Sequence, residues 1–218
     1  MVILTVFSNW RNDPVLQLFV LTDEKPENAW QSQPALLKWN WPEKTIVTVR
    51  AATNCDEVEL FLNNHSLGRK TISDSLYSKD WSVNYKSGEI KAIGYKNGKQ
   101  VATSNLRTTD VASKVQITSL PLPIASDILL FEITTTDKNG LTVIDAKTSI
   151  TVKVEGGGKL IGLDSGELNY SGSFKTNTRN TYQGRLLVSV ERISSTAEDE
   201  IHIIATAPGL STAILRVK

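Results

Sequence analysis

Apolar and polar residues alternate along much of this chain with a period of two. Val58, Leu60 and Leu62 alternate with Glu57, Glu59 and Phe61, as in a strand with one buried face. Strands are predicted over residues 15–21, 45–52, 58–62, 89–95, 100–106, 115–119, 128–136, 149–155, 186–191, 200–206 and 212–217. Most of these stretches carry the Val, Ile, Thr and aromatic residues that suit a pleated, half-buried surface. Asn63-Asn64, Asn97-Gly98, Asn139-Gly140 and Pro208-Gly209 punctuate them as turns. No window carries a helical stripe. Short, regularly spaced strands with turn punctuation predict an all-β chain of two immunoglobulin-like β-sandwich domains in tandem. The polar stretch from Arg107 to Ser113 separates a closing strand from a fresh one beginning at Val115, which places the domains at 1–108 and 113–218. Residues 1–33 fit the pattern least well.

Length and charge narrow the picture. The 218 residues leave room for two domains of about 100 residues each. With 24 basic against 23 acidic residues, nothing draws the chain to nucleic acid or an anionic membrane, and neither partner is expected. The single cysteine, Cys55, rules out an intrachain disulfide and reads as a buried structural thiol. Residues 1–7 are apolar but short, with no basic residues ahead of them, and fit a first strand better than a signal peptide. No stretch approaches the ~20 apolar residues of a membrane span. The expectation is a piece cut from a longer precursor.

Two stretches resemble known modules. Trp39-Asn40-Trp41-Pro42, then a strand, then the run from Thr53 to Asn63 (TNCDEVELFLN) and Ser66-Leu67-Gly68 resemble the sandwich that follows the barrel in bacterial family 2 glycoside hydrolases of the β-galactosidase-like group. Lys38 stands where that family has the histidine of His-Trp-Asn-Trp. The Gly-rich run from Gly156 to Gly166 is similar to a loop of the final immunoglobulin-like module of the same enzymes. So are Phe174-Lys175-Thr176-Asn177, Arg179, Tyr182-Gln183-Gly184-Arg185-Leu186 and Pro208-Gly209-Leu210. The resemblance implies a non-catalytic C-terminal region that braces or extends a catalytic barrel, its partner, within a periplasmic or secreted parent. It implies no cofactor. Both catalytic glutamates of such enzymes lie on a barrel of roughly 250 residues, and no position here matches them.

Candidate chemistry in the chain is sparse. Glycoside hydrolysis needs two carboxyl groups across the scissile bond. Glu57 and Glu59, at i and i+2 on one strand face, are the best-placed pair, but they read as exposed charges on a wet sheet. His65 and His202 lack neighbouring ligands at metal spacing, so no metal site is expected. Asp164-Ser165-Gly166-Glu167 could offer oxygens to calcium, though a plain turn accounts for it. Gly156-Gly157-Gly158 lacks the Lys-Ser/Thr of a phosphate cradle, and no Gly-x-Ser-x-Gly elbow occurs. The aromatics Trp39, Trp41, Trp81 and Tyr85 are candidates for carbohydrate contact by stacking; the favoured reading of the same residues is core filling or packing against a barrel. Alternatives from other classes are an independent carbohydrate-binding module and a cell-surface immunoglobulin-like spacer or adhesin. The bracing reading also predicts an apolar patch near Trp10, Trp30 or Trp39.

Overall fold

The computed structural model describes residues 13–22, 34–72, 77–122, 127–193 and 200–218. The expectations of a first strand over residues 1–7 and of an apolar patch near Trp10 or Trp30 lie outside the described residues. The chain divides into two compact units, Met1–Thr108 and Thr109–Lys218. Both are built from strands, and both are β-sandwiches.

In the first unit the strands are β1 (Leu16–Leu21), β2 (Ala35–Leu36), β3 (Ile46–Thr53), β4 (Glu57–Leu62), β5 (His65–Thr71), β6 (Ser78–Asn84), β7 (Glu89–Lys96) and β8 (Lys99–Arg107). They form two antiparallel sheets in the orders β2-β1-β3-β6 and β5-β4-β7-β8. Val47, Val49 and Ala51 of β3 face Val58, Leu60 and Leu62 of β4 and Ile90 and Ala92 of β7 within one core. Strand alternation puts these residues on the inner faces, and their removal from water drives the two sheets together. Asn63 and Asn64 both adopt positive φ, at 49° and 67°, as the two-residue turn of a tight hairpin demands. The Asn63 side chain also accepts from Glu89 N at 2.8 Å and donates to Ser87 O at 2.9 Å, tying the β4–β5 turn to the start of β7.

The second unit holds β9 (Lys114–Leu120), β10 (Ile128–Thr136), β11 (Ser149–Gly156), β12 (Gly158–Asp164), β13 (Thr178–Asn180), β14 (Arg185–Arg192), β15 (Ile201–Thr206) and β16 (Ala213–Val217). Its sheets run β12-β14-β10-β9 and β13-β11-β15-β16. Setting aside short β13, this is the four-plus-three strand division of an immunoglobulin constant-type sandwich, with the first, second, fourth and fifth strands on one sheet. Phe131, Ile133, Leu186, Val188 and Val190 from one sheet meet Ile150, Val152, Ile201, Ile203 and Ala205 from the other.

The Gly-rich run departs from its expected form. Residues read as a loop from 156 to 166 contain strand β12, which pairs with β14 and carries a bulge between Leu160 and Gly162. Glycine weakens a strand, yet Gly162 is required where it stands. A Cβ there would lie 2.8 Å from the carbonyl oxygen of Phe174, which accepts the Leu163 N–H at 2.9 Å. The chain after β12 therefore folds back onto the strand it has just left.

Candidate functional site

The aromatic candidates of the first unit are core residues. Trp39 is 1% exposed and Trp81 and Tyr85 are 4% and 3% exposed. Trp39 and Tyr85 meet edge to face at 5.2 Å, a favoured aromatic geometry. Trp39 Nε1 donates to Lys86 O at 3.2 Å, and the Tyr85 hydroxyl pairs with Thr108 Oγ1 at 3.0 Å. Trp81 lies on the inner face of β6, with Lys70 Nζ 4.8 Å from its ring centroid. Trp41 is half-buried against the same core, and Lys38 Nζ caps its ring at 4.7 Å. Carbohydrate stacking needs an open ring face, and the rings of Trp39, Trp81 and Tyr85 are buried. Residues 39–41 lie outside any strand, and the two-residue spacing of Trp39 and Trp41 therefore sets no shared sheet face.

The paired carboxylates of β4 are also engaged. Glu57 Oε2 accepts from Arg69 Nη2 at 2.6 Å, while Glu59 accepts from Ser66 Oγ at 2.7 Å and the Tyr95 hydroxyl at 3.2 Å. Both sit on the outward face of their sheet, opposite the buried Val58 and Leu60. Among the described residues no group of three His, Cys, Asp or Glu side chains could hold a metal ion. His202 Nε2 pairs with Glu200 at 2.8 Å, and Asp164 Oδ1 accepts the Gly166 N–H at 2.9 Å as an ordinary Asx turn. Cys55 is buried; burial pushes its thiol up, against a hydrogen bond with Thr53, which leaves it a poor nucleophile.

The most elaborate arrangement is in the second unit, around Arg179. This residue lies on β13 and is 4% exposed. Its guanidinium donates through Nη1 to Leu163 O at 3.0 Å and through Nε to Ser165 Oγ at 3.3 Å. Asp164 Oδ1 lies 3.6 Å from Nη2. The guanidinium carbon stands 3.6 Å from the Tyr170 ring centroid and 4.6 Å from that of Phe174, and those two rings meet edge to face at 5.7 Å. A planar, weakly hydrated cation suits such a stack, as a lysine would not. Arg179 thereby fastens the segment between β12 and β13 to the end of β12.

Above this fastening the segment offers apolar groups to solvent. Leu168 is 99% exposed and Phe174 50%. Two open depressions flank it. One, of about 300 Å³, is lined by Ser149, Ser165, Glu167, Tyr170, Arg179 and Asn180 among others. The other, of about 390 Å³, includes Lys159, Ile161, Lys175, Asn177 and Glu191. Both are open to solvent and mix polar with apolar groups, unlike the enclosed, mostly apolar walls of most small-molecule sites.

A second buried polar centre, Asp137, is structural. Burial alone would raise its carboxyl, but the backbone N–H groups of Asp110 (3.1 Å), Leu141 (3.0 Å) and Asn139 (2.8 Å) outweigh that and hold it below the usual range. Sequence reasoning overlooked it, although Asp137 ahead of Asn139-Gly140 carries the signature of an Asx turn.

Comparison with known proteins agrees with this architecture. Residues 44–102 match a family described as a domain of unknown function (DUF4982), and residues 124–216 match glycoside hydrolase family 2 C-terminal domain 5. A β-galactosidase of Bacteroides ovatus, BoGH2A, is 27% identical over 183 residues, which cover 82% of this chain and 21% of that protein. A putative β-glucuronidase of Formosa agariphila is 34% identical over 105 residues, 44% of this chain and 10% of its own length. A solved glycosyl hydrolase family 2 member from Bacteroides cellulosilyticus superposes with a TM-score of 0.86 at 26% identity, over 99% of this chain and 30% of that one. This chain thus spans about a fifth of the length of the first of these relatives. Its residues 124–216 match a C-terminal domain of family 2 glycoside hydrolases, and the chain as a whole is similar to part of larger enzymes of that family.

Proposed function

We propose that this chain is a non-catalytic accessory region of a glycoside hydrolase acting on β-galactosides or β-glucuronides, and that it braces the catalytic barrel of that parent enzyme. The observation that carries the reading is the pair of module matches in chain order, together with its coverage of only 21% and 30% of two larger relatives. The engagement of Glu57 by Arg69 and of Glu59 by Ser66 and Tyr95 supports it. Carboxylates tied to neighbours on an open sheet lack the facing arrangement that glycoside hydrolysis requires. An independent sugar-binding role draws no support from rings as buried as Trp39, Trp81 and Tyr85.

The test is an assay of the purified 218-residue chain against nitrophenyl β-galactoside and β-glucuronide. No turnover above the buffer blank is expected. Turnover that Glu57→Gln or Glu59→Gln abolishes would refute the reading.

A further inference from the structure

We infer that Asn97, in the turn between β7 and β8, is a site of spontaneous covalent modification, at which the side-chain amide leaves as ammonia and a carboxylate takes its place, with water as the co-reactant. The fold withholds the same reaction from Asn139, the other asparagine that precedes a glycine.

Asparagine is chemically labile, most of all before glycine, where no side chain shields the next main-chain nitrogen. The Gly98 nitrogen attacks Cγ of Asn97 and closes a cyclic imide. The Cγ–Nδ2 bond breaks, and ammonia leaves with the proton of the Gly98 N–H. Water then opens the ring at one of its two carbonyls. Attack at the side-chain carbonyl gives aspartate, and attack at the main-chain carbonyl gives isoaspartate. The turn leaves both reacting groups free. Asn97 and Gly98 adopt positive φ, at 51° and 73°, as a two-residue hairpin turn requires. Both are exposed, and no heavy atom lies within 4 Å of the place a Gly98 Cβ would take. Lys96 pairs with Lys99, which leaves the Gly98 N–H outside the ladder. Among the described residues neither that N–H nor the Asn97 side-chain amide has a hydrogen-bond partner. Asp56 Oδ2 accepts the Asn97 main-chain N–H at 2.7 Å, which leaves the side chain unheld.

Asn139-Gly140 differs at both groups. The Gly140 N–H donates to Asp137 O at 3.1 Å, so the nucleophile is engaged. The Asn139 side chain donates to the buried Asp137 carboxylate, which also accepts the Asn139 main-chain N–H at 2.8 Å. Ring closure there must first break these bonds, one of them to a charged acceptor, which slows it about tenfold or more. The product at Asn97 bears on the fold. Either product sets a second carboxylate beside Asp56, and like charges repel. Isoaspartate also lengthens the main chain of a turn whose two-residue span sets the register of β7 on β8. Strand β8 lies at the edge of its sheet and pairs with β7 alone, so no second neighbour restores a lost register.

Incubation of the 218-residue chain in mildly alkaline heavy-oxygen water, followed by peptide mass mapping, tests this assignment. Peptides holding Asn97 are expected to take up heavy oxygen about tenfold faster than those holding Asn139. In the urea-unfolded chain the two are expected to convert at comparable rates, because the fold alone separates them. The aged chain should exchange its Lys99 amide faster than the fresh chain does. That change should be absent from Asn97→Gln, whose longer side chain closes a ring far more slowly. Comparable rates at the two asparagines in the folded chain would overturn the protection of Asn139. An Asn97 peptide that takes up no label would overturn the site itself. Faster Lys99 exchange that appears equally in aged Asn97→Gln would overturn the effect on the hairpin.

Discussion

The guanidinium of Arg179 lies over the Tyr170 ring at 3.6 Å while donating to the carbonyl oxygen of Leu163 at 3.0 Å. One side chain thus joins β13, the end of β12 and the segment that connects them. Because the group is buried, its cost of desolvation is met only while those partners stay in place. Arg179→Ala should destabilise the chain by about 2–4 kcal/mol through the lost stack and hydrogen bonds. Arg179→Lys should recover little of this, because an ammonium neither stacks flat nor donates as a fork. Urea unfolding followed by circular dichroism measures both. A Lys variant as stable as the wild type would show that charge alone matters.

Gly162 depends on the same fold-back. An alanine Cβ would sit 2.8 Å from the Phe174 carbonyl oxygen, so either the strand or the returning segment must shift. Gly162→Ala should cost about 1–3 kcal/mol, in the range of other overpacked sites. It should also speed exchange of the Leu163 amide, which bonds that carbonyl. Unchanged protection of Leu163 would mean that the segment yields freely.

Asp137 should make the second unit acid-sensitive. Its backbone donors hold the folded carboxyl below the ordinary range. Its contribution is therefore complete above the unfolded aspartate value of about 3.9 and is lost as pH falls through the folded value. Stability should decline below about pH 4 in the wild type, and Asp137→Asn should flatten part of that slope. The variant should also lose about 1–3 kcal/mol at neutral pH, because an amide replaces one acceptor oxygen with a donor facing N–H groups. An identical acid slope in the variant would show that other carboxylates set it.

Trp39 tests the core assignment. All five tryptophans lie in the first unit, so their fluorescence reports on it. Trp39→Ala should cost about 3–5 kcal/mol, as for other large-to-small changes at buried aromatics. Galactose and lactose should produce no saturable quenching in the wild type. Saturable quenching that Trp41→Ala removes would restore sugar contact at the half-buried ring.

The sequence was most legible where alternation was clean. Val58, Leu60 and Leu62 marked β4, and Ile201, Ile203 and Ala205 marked β15, because one face of each is buried. Strand β6 escaped notice because only Trp81 and Val83 are buried in Ser78–Asn84, too few apolar positions to show a period. Strand β12 was hidden by its glycines, which local propensity assigns to turns; its pairing with β14 overrides that preference. Trp39 and Trp41 were ambiguous because they lie outside any strand, where spacing does not report orientation. Arg179 stood out in sequence as one letter of a run resembling the family. Its role depends on a fold-back that brings residues 163, 170 and 174 together, which no local pattern encodes.

The bracing role itself is tested most directly by thermal inactivation of the parent family 2 enzyme with and without this chain. Deletion should lower the temperature of half-inactivation while leaving KM for an aryl β-glycoside within about twofold, because a brace stabilises the barrel without touching substrate. Equal inactivation temperatures, or a large rise in KM on deletion, would contradict the account.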